Sequence, residues 1–70
     1  MKAKLLSLAA QLGEALEGKR LDGGQYAQTA LGGLVMSASQ ARSADFSGCD
    51  LREAVLDGCD FAGARFTGSN

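Results

Sequence analysis

The sequence contains no histidine, no proline and no tryptophan, and its aromatics are one Tyr and three Phe. Without His the usual general base and the commonest metal ligand are missing, and Ser-His-Asp or Cys-His catalysis cannot be assembled. No GxxxxGK[ST] segment is present to cradle a phosphate. An enzyme is therefore not expected, and neither is a cofactor or metal. No apolar run approaches the ~20 residues of a transmembrane helix. There are two cysteines, Cys49 and Cys59. They form no CxxC, which excludes the usual zinc and thioredoxin-like redox spacings. They read as buried, reduced thiols that pack like small hydrophobes, and the chain reads as cytoplasmic.

The net charge is −1, but it is unevenly distributed. Residues 1–43 carry Lys2, Lys4, Lys19, Arg20 and Arg42 against Glu14, Glu17 and Asp22, a net of +2. Residues 44–70 carry Asp45, Asp50, Glu53, Asp57 and Asp60 against Arg52 and Arg65, a net of −3. Neither half is basic enough to follow a phosphate backbone, so direct nucleic-acid binding is not expected. Seventy residues make one domain, and a chain this short buries only about 60% of the surface its unfolded form exposes. At the N-terminus Leu5, Leu8, Ala9, Leu12 and Leu16 recur on one helical face. The spacing predicts an amphipathic helix over 1–18, stopped at Gly18, rather than a signal peptide.

The last third divides into fives: ADFSG, CDLRE, AVLDG, CDFAG, ARFTG. The middle residues are Phe46, Leu51, Leu56, Phe61 and Phe66. Two positions earlier stand Ala44, Cys49, Ala54, Cys59 and Ala64, all small. Neither the 3.6 period of a helix nor the 2.0 period of a strand generates this pattern. It resembles the pentapeptide repeat family, whose units follow A(D/N)LXX. That resemblance implies a mainly β fold: a right-handed, quadrilateral β-helix with four units per coil. The central and the small residue would point inward and the other three outward, with Gly at the corners.

The same frame steps back through Ala41, Met36, Leu31, Tyr26, Leu21 and Leu16. Lys19 and Glu14 fall on small inward positions, which argues for coils starting near residue 24. The expected organisation is a capping helix over 1–18, a Gly-rich connector over 19–23, and about two coils over 24–70. Units 24–43 are degenerate, lacking Asp or Asn before the centre, and 44–68 are regular. A second helix over 25–41 is the rival reading; Gly32-Gly33 would cost it about 2 kcal/mol. Residues twenty apart should stack, placing Tyr26, Phe46 and Phe66 in one column, Leu31 over Leu51, and Met36 over Leu56. The expected core is Tyr26, Leu31, Met36, Phe46, Leu51, Leu56, Phe61, Phe66, Cys49 and Cys59.

Two apolar features are left over. Val35 and Val55 occupy outward positions in one column, which suggests a docking stripe. The coils would also end in an unpaired edge near Phe66. Leu5, Leu8 and Leu12 are expected to cover the opposite end and are counted with these as interface candidates. The leading functional reading is a non-catalytic structural or protein-interaction module, its partner a protein or a second copy at the C-terminal end. One alternative is a DNA-mimic regulator of a topoisomerase, which some members of the family resemble. The other is a peripheral membrane module using the Lys2/Lys4 helix, whose apolar face suits an interface, although one such helix binds weakly.

Overall fold

The computed structural model describes all 70 residues. One helix, α1 (Ala3–Leu12), precedes three short strands, β1 (Ala15–Glu17), β2 (Val35–Ser37) and β3 (Val55–Asp57). The strands form one parallel sheet in chain order, and each residue pairs with the one twenty positions later: Leu16 with Met36, then Met36 with Leu56. The other sides repeat the same offset as single bridges. Arg20 pairs with Gln40 and Gln40 with Asp60, Gln25 with Asp45 and Asp45 with Arg65, and Ala30 with Asp50. A new ladder thus begins every five residues, and each twenty residues make one rung laid on the last.

The corners explain the spacing. A positive φ, between 51° and 76°, occurs at every fifth residue from Gly13 to Gly68. Most such corners close a turn in which an inward residue's C=O accepts from the N–H three residues on, as in Leu21 to Gly24, Phe46 to Cys49 and Phe61 to Ala64. With φ positive at the third residue these have the form of type II turns, which favour Gly at that place. Four corners lack it: Gln28, Ala38, Ser43 and Glu53. A side chain in the left-handed region costs roughly 1–2 kcal/mol, partly offset by the extra unfolded-state freedom of Gly. Glu53→Gly should therefore stabilise the protein by about 0.5–1 kcal/mol in urea titration. An unchanged or lower midpoint would show that the Glu53 corner is not strained.

The asparagine-or-aspartate preference before each centre also has a local cause. The carboxylates of Asp45, Asp50 and Asp60 each accept the backbone N–H two residues on, from Ser47, Arg52 and Ala62. These short loops restrain the backbone entering the corner. Units between 24 and 43 have no such carboxylate, yet they form the same corners because the rungs above and below impose them.

Two boundaries differ from the sequence expectation. The helix ends at Leu12, not at Gly18. Gly13 is left-handed, its N–H bonds to Ala10 and the Glu14 N–H to Ala9, the two bonds of a Schellman stop. Leu16, four residues after Leu12, fits the helical period and the five-residue period equally, and Gly13 decides between them. Leu16 lies on β1 beneath Met36. The segment 19–23 is likewise no connector: Arg20 pairs with Gln40, Leu21 is buried, and Gly23 is a corner. Glu14 and Lys19 are accommodated because both are exposed at the edge of the first rung. No second helix exists over 25–41, where β2 and the bridges lie.

The core is one cluster between α1 and the second rung, including Leu6, Leu21, Tyr26, Leu31, Met36, Phe46 and Cys49. Tyr26 stacks on Phe46 with ring centres 5.2 Å apart, and Phe46 on Phe66 at 5.3 Å. Phe61 meets Phe46 and Phe66 edge-on. The helix is tied down at the Tyr26–Leu31 side: the Tyr26 hydroxyl donates to the Met1 carbonyl and the Ser7 hydroxyl to that of Ala30. Burial of Tyr26 pushes its phenol above its ordinary pKa.

The small inward positions add a polar device. The thiols of Cys49 and Cys59 and the hydroxyl of Ser69 each point at a carbonyl 23 residues earlier, on Tyr26, Met36 and Phe46. Buried Ser39 is fully satisfied, accepting from the Lys19 N–H and donating to the Ser37 carbonyl. Both cysteines are free thiols.

Candidate interaction surfaces

Burial is lopsided along the rungs. Tyr26, Leu31, Met36, Phe46 and Cys49 are buried, whereas the inward residues of the last rung are not. Leu51, Leu56, Cys59 and Phe61 are only half-buried, and Phe66 is 38% exposed. Phe66 is thus covered on its Phe46 side and open on the other. The backbone repeats the message. In the lower rungs N–H groups such as those of Gly33, Ala38, Ala41, Ser43, Phe46 and Gly48 donate to carbonyls nineteen residues on. Their counterparts on Glu53, Gly58, Phe61, Gly63, Phe66 and Gly68 make no hydrogen bond within the protein. The last rung therefore presents an apolar cross-section framed by donors at the spacing of another rung. Counting inward residues in the sequence could locate Phe66 in the repeat, but not this row of open donors.

Val35 and Val55 are paired neighbours on β2 and β3, Val35 half-buried and Val55 45% exposed. Ala15 continues their column on β1. The stripe is narrow and its outer neighbours are polar.

The helix uses a different face from the one its leucines suggest. Leu6, Ala9 and Ala10 are buried, while Leu5, Leu8 and Leu12 are 55%, 48% and 66% exposed. The expectation that these three leucines cover the first rung is thus overturned. The cross-section they were to cover is met by another side of α1, through Leu6, Ala9 and Ala10.

Charged residues on the outer sides pair locally. Arg52 grips Asp50 through two nitrogens, at 3.0 and 2.9 Å. Arg42 Nε donates to Asp60 at 2.6 Å, and Arg20 lies 3.7 Å from Asp22. The Arg52 side chain, then its backbone N–H, holds Asp50 down to about 2. Asp60 is lowered first by the Ala62 N–H and then by Arg42, and Asp45 by hydrogen bonds from Ser47. All three carboxylates are depressed relative to the unfolded value of ~3.9, so their contribution is present above that pH and lost below it. Stability should be flat above about pH 5 and fall as pH drops through 4 toward 2. Urea midpoints at pH 7 and pH 3 test this; a higher midpoint at pH 3 contradicts it. Exposed pairs of this kind add little to stability.

A shallow hollow lies between corners, lined by Gly32, Gly33, Asp50, Arg52 and Glu53 with no apolar side chain. It has neither the apolar wall nor the convergent donors of a ligand site. No three His, Cys, Asp or Glu side chains converge as a metal site.

These geometric features agree with a comparison against protein families: the family description "Pentapeptide repeats (8 copies)" matches residues 36–70, half of the chain. The chain belongs to the pentapeptide repeat family. Its fold is accordingly of the β-helix type, and the parallel strands are its solenoid ladders. The match begins at Met36, inside units whose composition is irregular, and leaves residues 1–35 to the structure alone. In this pentapeptide repeat protein the twenty-residue pairing continues upstream to Ala15. Comparison with curated proteins and with solved structures returned no significant match. No helix of the repeat protein is long and apolar enough to cross a membrane.

Proposed function

We propose that this pentapeptide repeat protein is a non-catalytic interaction module whose docking surface is the apolar end of its last rung. The rungs, in this reading, wind as a right-handed, square-sectioned β-helix capped at the first rung by α1. The family's usual role as a non-enzymatic protein-interaction scaffold supports the reading. The observation that carries it is the last rung itself. Half-buried Leu51, Leu56 and Phe61 and exposed Phe66 lie inside a row of unpaired N–H groups. An open edge of this kind takes an added strand: backbone donors supply affinity and the apolar interior supplies specificity.

The occupant is a rung of β structure from a second copy or from a protein partner. Light scattering after size exclusion reads the first case directly. The protein should run as a dimer at micromolar concentration, and Phe66→Asp should return it to monomer; because Phe66 also stacks on Phe46, circular dichroism must show that the variant is folded, with Phe66→Ser as the milder second variant. A wild-type monomer leaves pull-down with and without Phe66→Asp as the deciding measurement; equal capture of the same proteins by both removes the reading. The DNA-mimic alternative finds no support in the outer charges, because Asp22, Asp50 and Asp60 are each matched by an arginine.

A further inference from the structure

Helix α1 carries apolar residues on two opposite sides. With 100° between successive residues, Leu5, Leu8 and Leu12 form one stripe, continued by Met1, while Leu6 and Ala10 lie on the far side. The far side is buried against the first rung; the stripe is about half exposed along its whole length. Polar Lys4, Ser7 and Gln11 occupy a single strip between the two. A helix that is apolar on both sides normally has a layer on both sides. Only one is present.

The charges around the stripe select its occupant. Lys2 and Lys4 flank its N-terminal half, both exposed, and α1 itself contains no carboxylate, the first being exposed Glu14 two residues beyond Leu12. These lysines do nothing for the helix: it has no acidic residue in its first turn and no side-chain cap, and cations there oppose the macrodipole. A second copy of α1 laid on the stripe would set lysine against lysine with no acid on either helix to answer them. An apolar stripe bordered by lysines instead matches an anionic lipid surface, where leucines enter the acyl boundary and lysines meet the headgroups.

We propose that the outward face of α1, with Leu5, Leu8 and Leu12 as its apolar stripe and Lys2 and Lys4 as its borders, docks on anionic membrane surfaces. A single helix of this size binds a membrane weakly, and more weakly still if its leucines are consumed in capping the first rung. The structure uses Leu6, Ala9 and Ala10 there and leaves the leucines free. This docking does not depend on the last rung, which lies at the other end of the ladders.

Co-sedimentation of the full chain with phosphatidylcholine vesicles, with and without phosphatidylglycerol, tests it. The protein should pellet with the anionic vesicles, stay in solution with the neutral ones, and be released as added salt shortens the screening length. Leu5→Ser with Leu8→Ser should weaken binding by about tenfold or more without changing circular dichroism, since both side chains are exposed. Lys2→Gln with Lys4→Gln should abolish the preference for anionic vesicles. Phe66→Asp should bind as wild type, which separates this result from the fate of the last-rung interface. Wild-type protein left in the supernatant with anionic vesicles overturns the proposal. So does an effect of the leucine pair on oligomeric state without an effect on vesicle binding, which would assign the stripe to a protein.

Discussion

Phe46→Asp is expected to unfold the protein at neutral pH. Phe46 is 2% exposed, stacked between Tyr26 and Phe66 and touched edge-on by Phe61. Deleting a buried Phe side chain costs about 3–5 kcal/mol. An unpaired carboxylate in its place adds several kcal/mol more, because the phenylalanine rings offer no donor and the Tyr26 hydroxyl is already given to the Met1 carbonyl. At 0.05–0.15 kcal/mol per residue the whole domain has roughly 4–10 kcal/mol to lose. Far-UV circular dichroism should therefore report a disordered chain, while Phe46→Leu, which keeps the site apolar, should stay folded with a lower melting temperature. A wild-type spectrum and melting temperature for Phe46→Asp would falsify the stacked aromatic column.

Leu6→Ala should destabilise the protein by about 2–5 kcal/mol, whereas Leu8→Ala should move it by less than about 0.5 kcal/mol. The contrast matters more than either value. Both residues lie on α1 and both are leucine, so helix propensity changes equally in the two variants. Leu6 is fully buried in the main cluster and Leu8 is half exposed. Losing Leu6 also opens the helix side of the cluster that holds Leu21, Tyr26 and Leu31. The Leu6→Ala variant should accordingly aggregate at concentrations where wild type does not. Equal urea midpoints for the two variants would mean that α1 docks by neither face as described.

The five-residue repeat was legible because its causes are local. A left-handed corner, an aspartate bonding two residues ahead and a large inward centre all act within one unit, so they leave their mark on neighbouring letters. Residues 44–68 show all of these. Residues 14–43 keep the large inward centre at most steps and a corner glycine at Gly18, Gly23 and Gly33 but lack the aspartate, and the structure extends the pairing back to Ala15 nonetheless. There the corners at Gln28, Ala38 and Ser43 are held by hydrogen bonds to the next rung, an effect twenty residues away in the chain. The start of the ladders was misplaced because Glu14 and Lys19 look unfit for inward positions. At the edge of the first rung those positions face solvent.

The interaction surfaces divide in the same way. Val55 and Phe66 could be named from the repeat frame, since the frame assigns each residue to inside or outside. The helix could not be resolved by its own pattern, because leucine and alanine surround it. Leu5, Leu8 and Leu12 make the larger stripe, yet Leu6, Ala9 and Ala10 are the ones that dock.

The sequence by itself determined the five-residue unit of this protein and its corners, which follow from steric and hydrogen-bonding rules that operate over five residues. Twenty residues to a rung and an aromatic column in register were implied by the family resemblance, and the pairing of Leu16 with Met36 and Met36 with Leu56 shows that offset. The tertiary structure alone decided which side of α1 meets the first rung, and so which leucines stay free. That choice rests on how one face of α1 fits the cluster of Leu21, Tyr26 and Leu31, and fit between distant surfaces is not encoded in any one segment.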